Sequence, residues 1–274
     1  MRVISFLVLF IPFGFCRYDT GLAYTASTPA DLPIRNFLEI RVMDSVDFIR
    51  WKLIMGHNNY TLDCHYGIGK PNTNGFIKDG TKLSLRGEMK KTGNVYHLIN
   101  GRKELKLIEL NPDLLHVMDN NNKPMAGNGG WSYTVNKVKS SAGYPLGTNL
   151  APGPLKDSII FEGRTPCGIP GIMEPGKECY KLKWRLLLYL DSHSHQPSWY
   201  KLYGTAWRSQ QPLSGKWRIE KGKKAVNGYQ LLDKNERPFI YLQPVSDNIV
   251  LFTDADGNLL VGDKDFSYTL NKRN

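Results

Sequence analysis

The residues whose types and spacing could do chemistry here are cysteines and histidines. The chain holds Cys16, Cys64, Cys167 and Cys179, with His65 next to Cys64 and with His193 and His195 downstream of Cys179. Cys167 and Cys179 flank a stretch that begins Gly168-Ile169-Pro170-Gly171. In an exported protein such a pair reads most simply as a disulfide. Closing a loop of this size stabilises by about 3 kcal/mol in the chain-entropy account. The rival chemistry is a pair of soft thiolates for copper(I) or zinc, with His193 and His195 as imidazoles that would extend the set. Two cysteines do not complete a zinc site, and no CxxC or HxxxH accompanies them. Thiolate ligation and a disulfide exclude one another, so the two readings are alternative states of one pair. Cys64 and His65 are adjacent in a strand-like segment, so their side chains leave opposite faces and do not share a metal. The role of Cys64 stays open.

Catalytic motifs are missing. The sequence contains no GxSxG, no HExxH and no glycine-rich phosphate loop. Asp254-Ala255-Asp256-Gly257-Asn258 has the look of a calcium loop but lacks the closing bidentate glutamate, so it reads as a hairpin turn. No catalytic residue is assigned and the expectation is a non-enzyme without a resident cofactor.

The elements that must position these residues begin after an export signal. Met1-Arg2 precedes an apolar run from Val3 to Phe15, long enough for a secretory core and short of a membrane span. Residues 1–16 are therefore read as a signal peptide, with Cys16 as a candidate lipidation site. The competing cut after Gly21-Leu22-Ala23 gives a soluble secreted protein. The location expected is an outer-membrane lipoprotein or the periplasm, with the membrane as partner by lipid anchor if Cys16 is lipidated. The net charge of +11 suits an anionic partner, but the cations are dispersed, with Lys221-Gly222-Lys223-Lys224 as the densest cluster. No nucleic-acid partner is expected.

The 274 residues repeat themselves. Asp113-Leu114-Leu115-His116-Val117-Met118-Asp119 returns, 135 positions on, as Asn248-Ile249-Val250-Leu251-Phe252-Thr253-Asp254. Trp131-Ser132-Tyr133-Thr134-Val135-Asn136-Lys137 returns as Phe266-Ser267-Tyr268-Thr269-Leu270-Asn271-Lys272. Upstream, Trp51 aligns with Trp184, Tyr60 with Tyr200 and Tyr96 with Tyr229. Apolar and aromatic positions recur while reactive types do not, which marks a duplicated scaffold. Alternating segments such as 199–207 and 216–220, with turns at Asp79-Gly80, Asn100-Gly101 and Asp254–Asn258, predict an all-β protein with barrel or sandwich domains. Only the stretch from Glu174 to Glu178 hints at a helical turn. The division expected is a tether at 17–35, a first domain at 36–137, a linker at 138–157 and a second domain at 158–274. Each half is long enough to own a core, so 158–274 is expected to fold alone.

Several segments of the second half together carry a family resemblance. They are Gly163-Arg164-Thr165-Pro166-Cys167, Cys179 before the first long strand, Tyr200-Lys201-Leu202-Tyr203-Gly204-Thr205, Gly215-Lys216-Trp217, Tyr229-Gln230-Leu231 and the close from Leu251 to Leu270. This domain resembles the NlpE-type copper-resistance (copper homeostasis) lipoprotein domain in its Bacteroidetes-type form. The first half, without the cysteine pair, resembles a degenerate copy. The resemblance implies two tandem lipocalin-like antiparallel barrels, an envelope location, and a link to copper tolerance or envelope-stress sensing through a signalling partner. The family's CxxC is here the wider Cys167/Cys179 pair. The other expectation is a lipocalin-type carrier of an apolar small molecule, its barrel lined from among Trp51, Trp131, Trp184, Trp199, Trp207 and Trp217.

Overall fold

A computed structural model describes residues 21–140, 143–150, 152–155, 157–169, 172, 179–204, 211–221 and 227–273. The chain is all-β, in two closed antiparallel barrels of eight strands each. In the first, β1 (Leu22–Pro29), β2 (Phe48–Met55), β3 (Asn59–Gly67), β4 (Thr81–Thr92), β5 (Val95–Asn100), β6 (Lys103–Asn111), β7 (Leu114–Val117) and β8 (Thr134–Lys137) pair in sequence order. The barrel closes where β8 meets β1, with Tyr24 opposite Lys137. The second barrel repeats this with β9 (Ile159–Thr165), β10 (Leu182–Leu190), β11 (Pro197–Gly204), β12 (Leu213–Lys221), β13 (Asn227–Leu232), β14 (Pro238–Ser246), β15 (Ile249–Thr253) and β16 (Thr269–Lys272). Closure removes the free edges of both sheets.

Alternation explains both barrels. On β2 the inward Ile49, Trp51, Leu53 and Met55 are buried while Arg50 and Lys52 face out. On β10 the inward Leu182, Trp184, Leu186 and Leu188 do the same. One device is copied in detail. Tyr60 lies opposite Gly87 and Tyr200 opposite Gly215. A Cβ on either glycine would fall within 3 Å of the tyrosine ring and of a backbone carbonyl. The glycines exist because a buried ring covers them.

Two divisions read from composition are corrected by the structure. Residues 22–35, expected to be tether, hold strand β1 and most of a helix, α1 (Leu32–Leu38). The small residues that resembled a linker are required by packing, because Ala26 sits opposite Trp51 and a larger side chain would compete with the indole. The segment 36–40, taken as the start of the first domain, is largely the end of α1. That helix buries Ile34, Phe37 and Leu38 in the first core. The expected linker at 138–157 also packs. Leu146 is buried, Tyr144 bridges to Leu259, and the Gly147 amide donates to the Leu110 carbonyl at 2.7 Å. The turn suspected near Glu174–Glu178 lies outside the described residues.

The two barrels share a third core. Ile108, Leu110, Leu114, Met118 and Leu146 pack with Val245, Ile249, Leu251 and Leu259. Equivalent residues of the repeat meet each other across this junction. The hydroxyls of Ser132 and Ser267 are 2.5 Å apart and those of Thr134 and Thr269 are 2.8 Å apart. The Gly127 amide donates to Asn271 Oδ1 at 2.6 Å, and the Gly262 amide donates to Asn136 Oδ1 at 2.9 Å. Reciprocal contact of residue i with its copy is the signature of an isologous two-fold interface, here inside one chain. Residues 158–274 alone would expose Val245, Ile249, Leu251 and Leu259, so the second half does not own all of the apolar surface it needs to bury.

Candidate functional site at the barrel junction

The outward face of β1–β4 carries two rows of polar side chains set by register. Thr25, Lys52, Asp63 and Ser84 lie side by side in one row, and Ser27, Arg50, His65 and Lys82 in the next. The turn at Asp263–Phe266 of the second barrel lies against this face. Ser27 Oγ donates to the Lys264 carbonyl at 2.8 Å, and the Arg50 guanidinium reaches the Asp265 carboxylate at 2.6 Å. The result is a groove of about 700 Å³ whose lining includes Arg50, Lys52, Asp63, His65, Lys82, Ser84, Val138 and Lys264. Its wall is largely apolar. Four of its side chains are cationic and one is a carboxylate. Asp63 already accepts a hydrogen bond from Ser84 Oγ at 2.7 Å.

Arg50 is held in place. Its guanidinium donates to the Asn74 carbonyl at 2.6 Å and lies 5.9 Å and 5.8 Å from the Phe48 and Phe76 ring centres. Phe48 in turn stacks on Trp131 at 4.6 Å, and Arg164 of the second barrel sits over that indole at 5.3 Å. Arg50 Nε is buried without a hydrogen-bond partner among the described residues. His65 is fixed against the groove wall by its Nε2 contact with the Asp79 carbonyl.

The sequence-expected residues fall elsewhere. Cys167 and Cys179 are disulfide-bonded, with Cα atoms 6.0 Å apart. The bond closes the connection from β9 to β10. Tyr268 Oη donates to the Cys167 carbonyl at 2.8 Å, and Ile169 is buried beneath. His193 and His195 do not join the pair. They sit in the turn after β10, where Asp191 gathers the His193 and Ser194 amides, whereas Cys179 precedes the start of the same strand. Nine residues of strand separate the two ends, about 30 Å at 3.3 Å per residue. The four-residue metal set is therefore corrected, because an extended strand holds its members apart. Among the described residues no group of three or more His, Cys, Asp or Glu side chains could hold a metal ion.

Cys64 and His65 do point to opposite faces, the thiol into the first core and the imidazole onto the groove. Burial pushes the Cys64 thiol well above its ordinary range, which keeps it unreactive. Trp51, Trp184 and Trp217 are core residues and Trp199 is exposed. Cys16 and Trp207 lie outside the described residues. The first barrel's lumen is filled by Tyr24, Trp51, Leu53, Tyr60, Leu62 and their neighbours, with α1 across one end.

Sequence reading missed the groove. Its signal was present as the outward alternation of Arg50 and Lys52 on β2 and of Lys82 and Ser84 on β4. Strand register and the approach of Lys264 from the other repeat are needed to assemble it. Comparison of the chain with protein-family profiles, characterised proteins and solved structures finds no match, so the NlpE-type resemblance rests on the motifs quoted above.

Proposed function

We propose that this protein is a non-catalytic ligand-binding protein of the cell envelope, and that it binds in the groove between its barrels. The observation that carries the reading is the groove itself. Its volume of about 700 Å³ falls within the range of about 300–1,000 Å³ usual for small-molecule sites. It combines apolar walls with a few placed polar groups, and both repeats build it. The exported location rests on the apolar run at Val3–Phe15 and on the cysteine pair, whose bonding suits an oxidising compartment. The lipid anchor at Cys16, the copper link and an envelope signalling partner come from the family resemblance. Within this proposal the disulfide is a staple and not a copper site.

Ser84 lines the groove and is exposed, so a large side chain there should fill the site without entering a core. Native mass spectrometry of protein isolated from its own envelope without detergent should show a bound small molecule. The Ser84→Trp variant should lose that mass while keeping its melting temperature. Equal retention by both proteins would rule the groove out as the binding site.

A further inference from the structure

We infer that the groove's ligand is a free amphiphile with one acidic head group and one aliphatic chain. This inference rests on the groove being the binding site. Lys52 and Lys82 face the groove and make no ion pair with any described residue, whereas Arg50 and Lys264 are both tied to Asp265, at 2.6 Å and 2.9 Å. The single lining carboxylate, Asp63, is engaged by Ser84. Arg50 and Lys264 share one carboxylate, and Lys52 and Lys82 face only Asp63, so the groove keeps a cationic surplus whose unpaired heads are two lysines on neighbouring rows of one sheet face. A strand spacing of about 4.8 Å puts β2 and β4 about 10 Å apart, a gap that one carboxylate or phosphate bridges only by drawing both flexible lysine heads towards it.

The rest of the groove does not suit a small inorganic anion. Its volume is many times that of a phosphate, and its surface is mostly carbon, including Val138, which is half exposed. Lysine stems cover apolar surface while their ammonium groups reach solvent or a ligand. An alkyl chain laid across β1–β4 finds about 14 Å of such surface, three strand spacings wide. A neutral lipid would leave the groove's cationic surplus without a counter-charge, and a bare anion would leave the wall wet. An acid-headed chain satisfies both.

Isothermal titration separates the parts of this inference. Dodecanoate below its micelle concentration, dodecyl phosphate and 1-dodecanol are titrated into the protein, beside sedimentation with phosphatidylglycerol vesicles. Both acids should bind at least about ten-fold more tightly than the alcohol, with an affinity that falls as salt rises. Lys52→Gln/Lys82→Gln should erase that preference and leave the melting temperature unchanged, because both side chains are exposed. Equal binding of acid and alcohol would overturn the acidic head group and leave the groove reading standing. Vesicle binding without monomer binding would replace the free ligand with a membrane surface and overturn the inference. No binding by any probe would overturn the inference, and the native mass spectrum of the Ser84→Trp variant would then decide the groove reading.

Discussion

The connection between the first and second strands is solved differently in the two barrels. In the first it is α1, whose Ile34, Phe37 and Leu38 drop into the core and close one end. In the second the connection is tied by Cys167–Cys179, and of its described residues Ile169 is buried and Ile172 packs against the core. A lid held by apolar burial carries its own stability, at roughly 1.5–3 kcal/mol for each large side chain buried. A covalently closed loop needs fewer such contacts because its unfolded state is already constrained. The two repeats therefore hold the same connection by different means, apolar burial in the first and a covalent bond in the second. The lesson is that a reactive residue type can mark a structural closure instead of a site.

The largest test of this contrast is subdivision. Residues 158–274 made alone should self-associate through Val245, Ile249, Leu251 and Leu259, replacing the absent first repeat. Analytical ultracentrifugation should show a dimer or larger species, and a stable monomer would mean that the shared core is dispensable. Next in size, Phe37→Ala should cost about 3–5 kcal/mol, against about 3 kcal/mol for Cys167→Ser/Cys179→Ser. Urea unfolding of each variant reads the difference. A negligible cost for Phe37→Ala would deny that the helix is a lid.

The junction also differs between repeats at a buried histidine. His116 is fully buried, with Nδ1 3.0 Å from Thr134 Oγ1 and Nε2 2.9 Å from the Met125 carbonyl. Its counterpart is Leu251. Desolvation lowers the His116 pKa from its ordinary 6.5 to about 4, opposed by the Met125 carbonyl. The unfolded chain therefore binds the extra proton between those two values. The stability contributed by the neutral ring is complete above pH 6.5 and is lost as pH falls towards 4, by up to about 3 kcal/mol. His116→Leu should flatten that slope, whatever it does to the plateau. An unchanged slope would place the acid sensitivity elsewhere.

The smallest difference is a hydrogen bond. In the second barrel Trp184 Nε1 donates to Thr165 Oγ1 at 2.8 Å. At the matching positions of the first barrel, Trp51 Nε1 and Thr28 Oγ1 are both buried without a partner among the described residues. Thr165→Val should cost about 1–2 kcal/mol, because it orphans a buried indole N–H. Thr28→Val should cost about 0.5 kcal/mol or less, because it removes a hydroxyl that is already orphaned. Thermal melts that rank the two substitutions the other way would contradict the assignment.

What could be read from the sequence followed from local rules. Alternation in 199–204 and 216–220, and the turn glycines Gly80, Gly101 and Gly257, all at positive φ, announce strands and hairpins. The disulfide was legible because loop composition and spacing suffice to suggest it. Strand β1 was hidden because Ala26 sits opposite Trp51 and so carries no bulk, while Thr25 and Ser27 turn outward beside Lys52 and Arg50. The packing of 143–148 was hidden because its glycines and prolines mark turns without revealing what covers them. The groove was hidden because Lys52, Lys82 and Lys264 are distant in sequence, and only register and the two-fold arrangement bring them together.

The proposed ligand site lies at the junction of the two repeats and not in a barrel lumen. Amide chemical-shift mapping of the protein titrated with dodecanoate distinguishes the two places. The shifted amides should cluster at Lys52, Asp63, Ser84 and Lys264. A cluster at Leu62, Leu98 and Leu107, inside the first barrel, would contradict it.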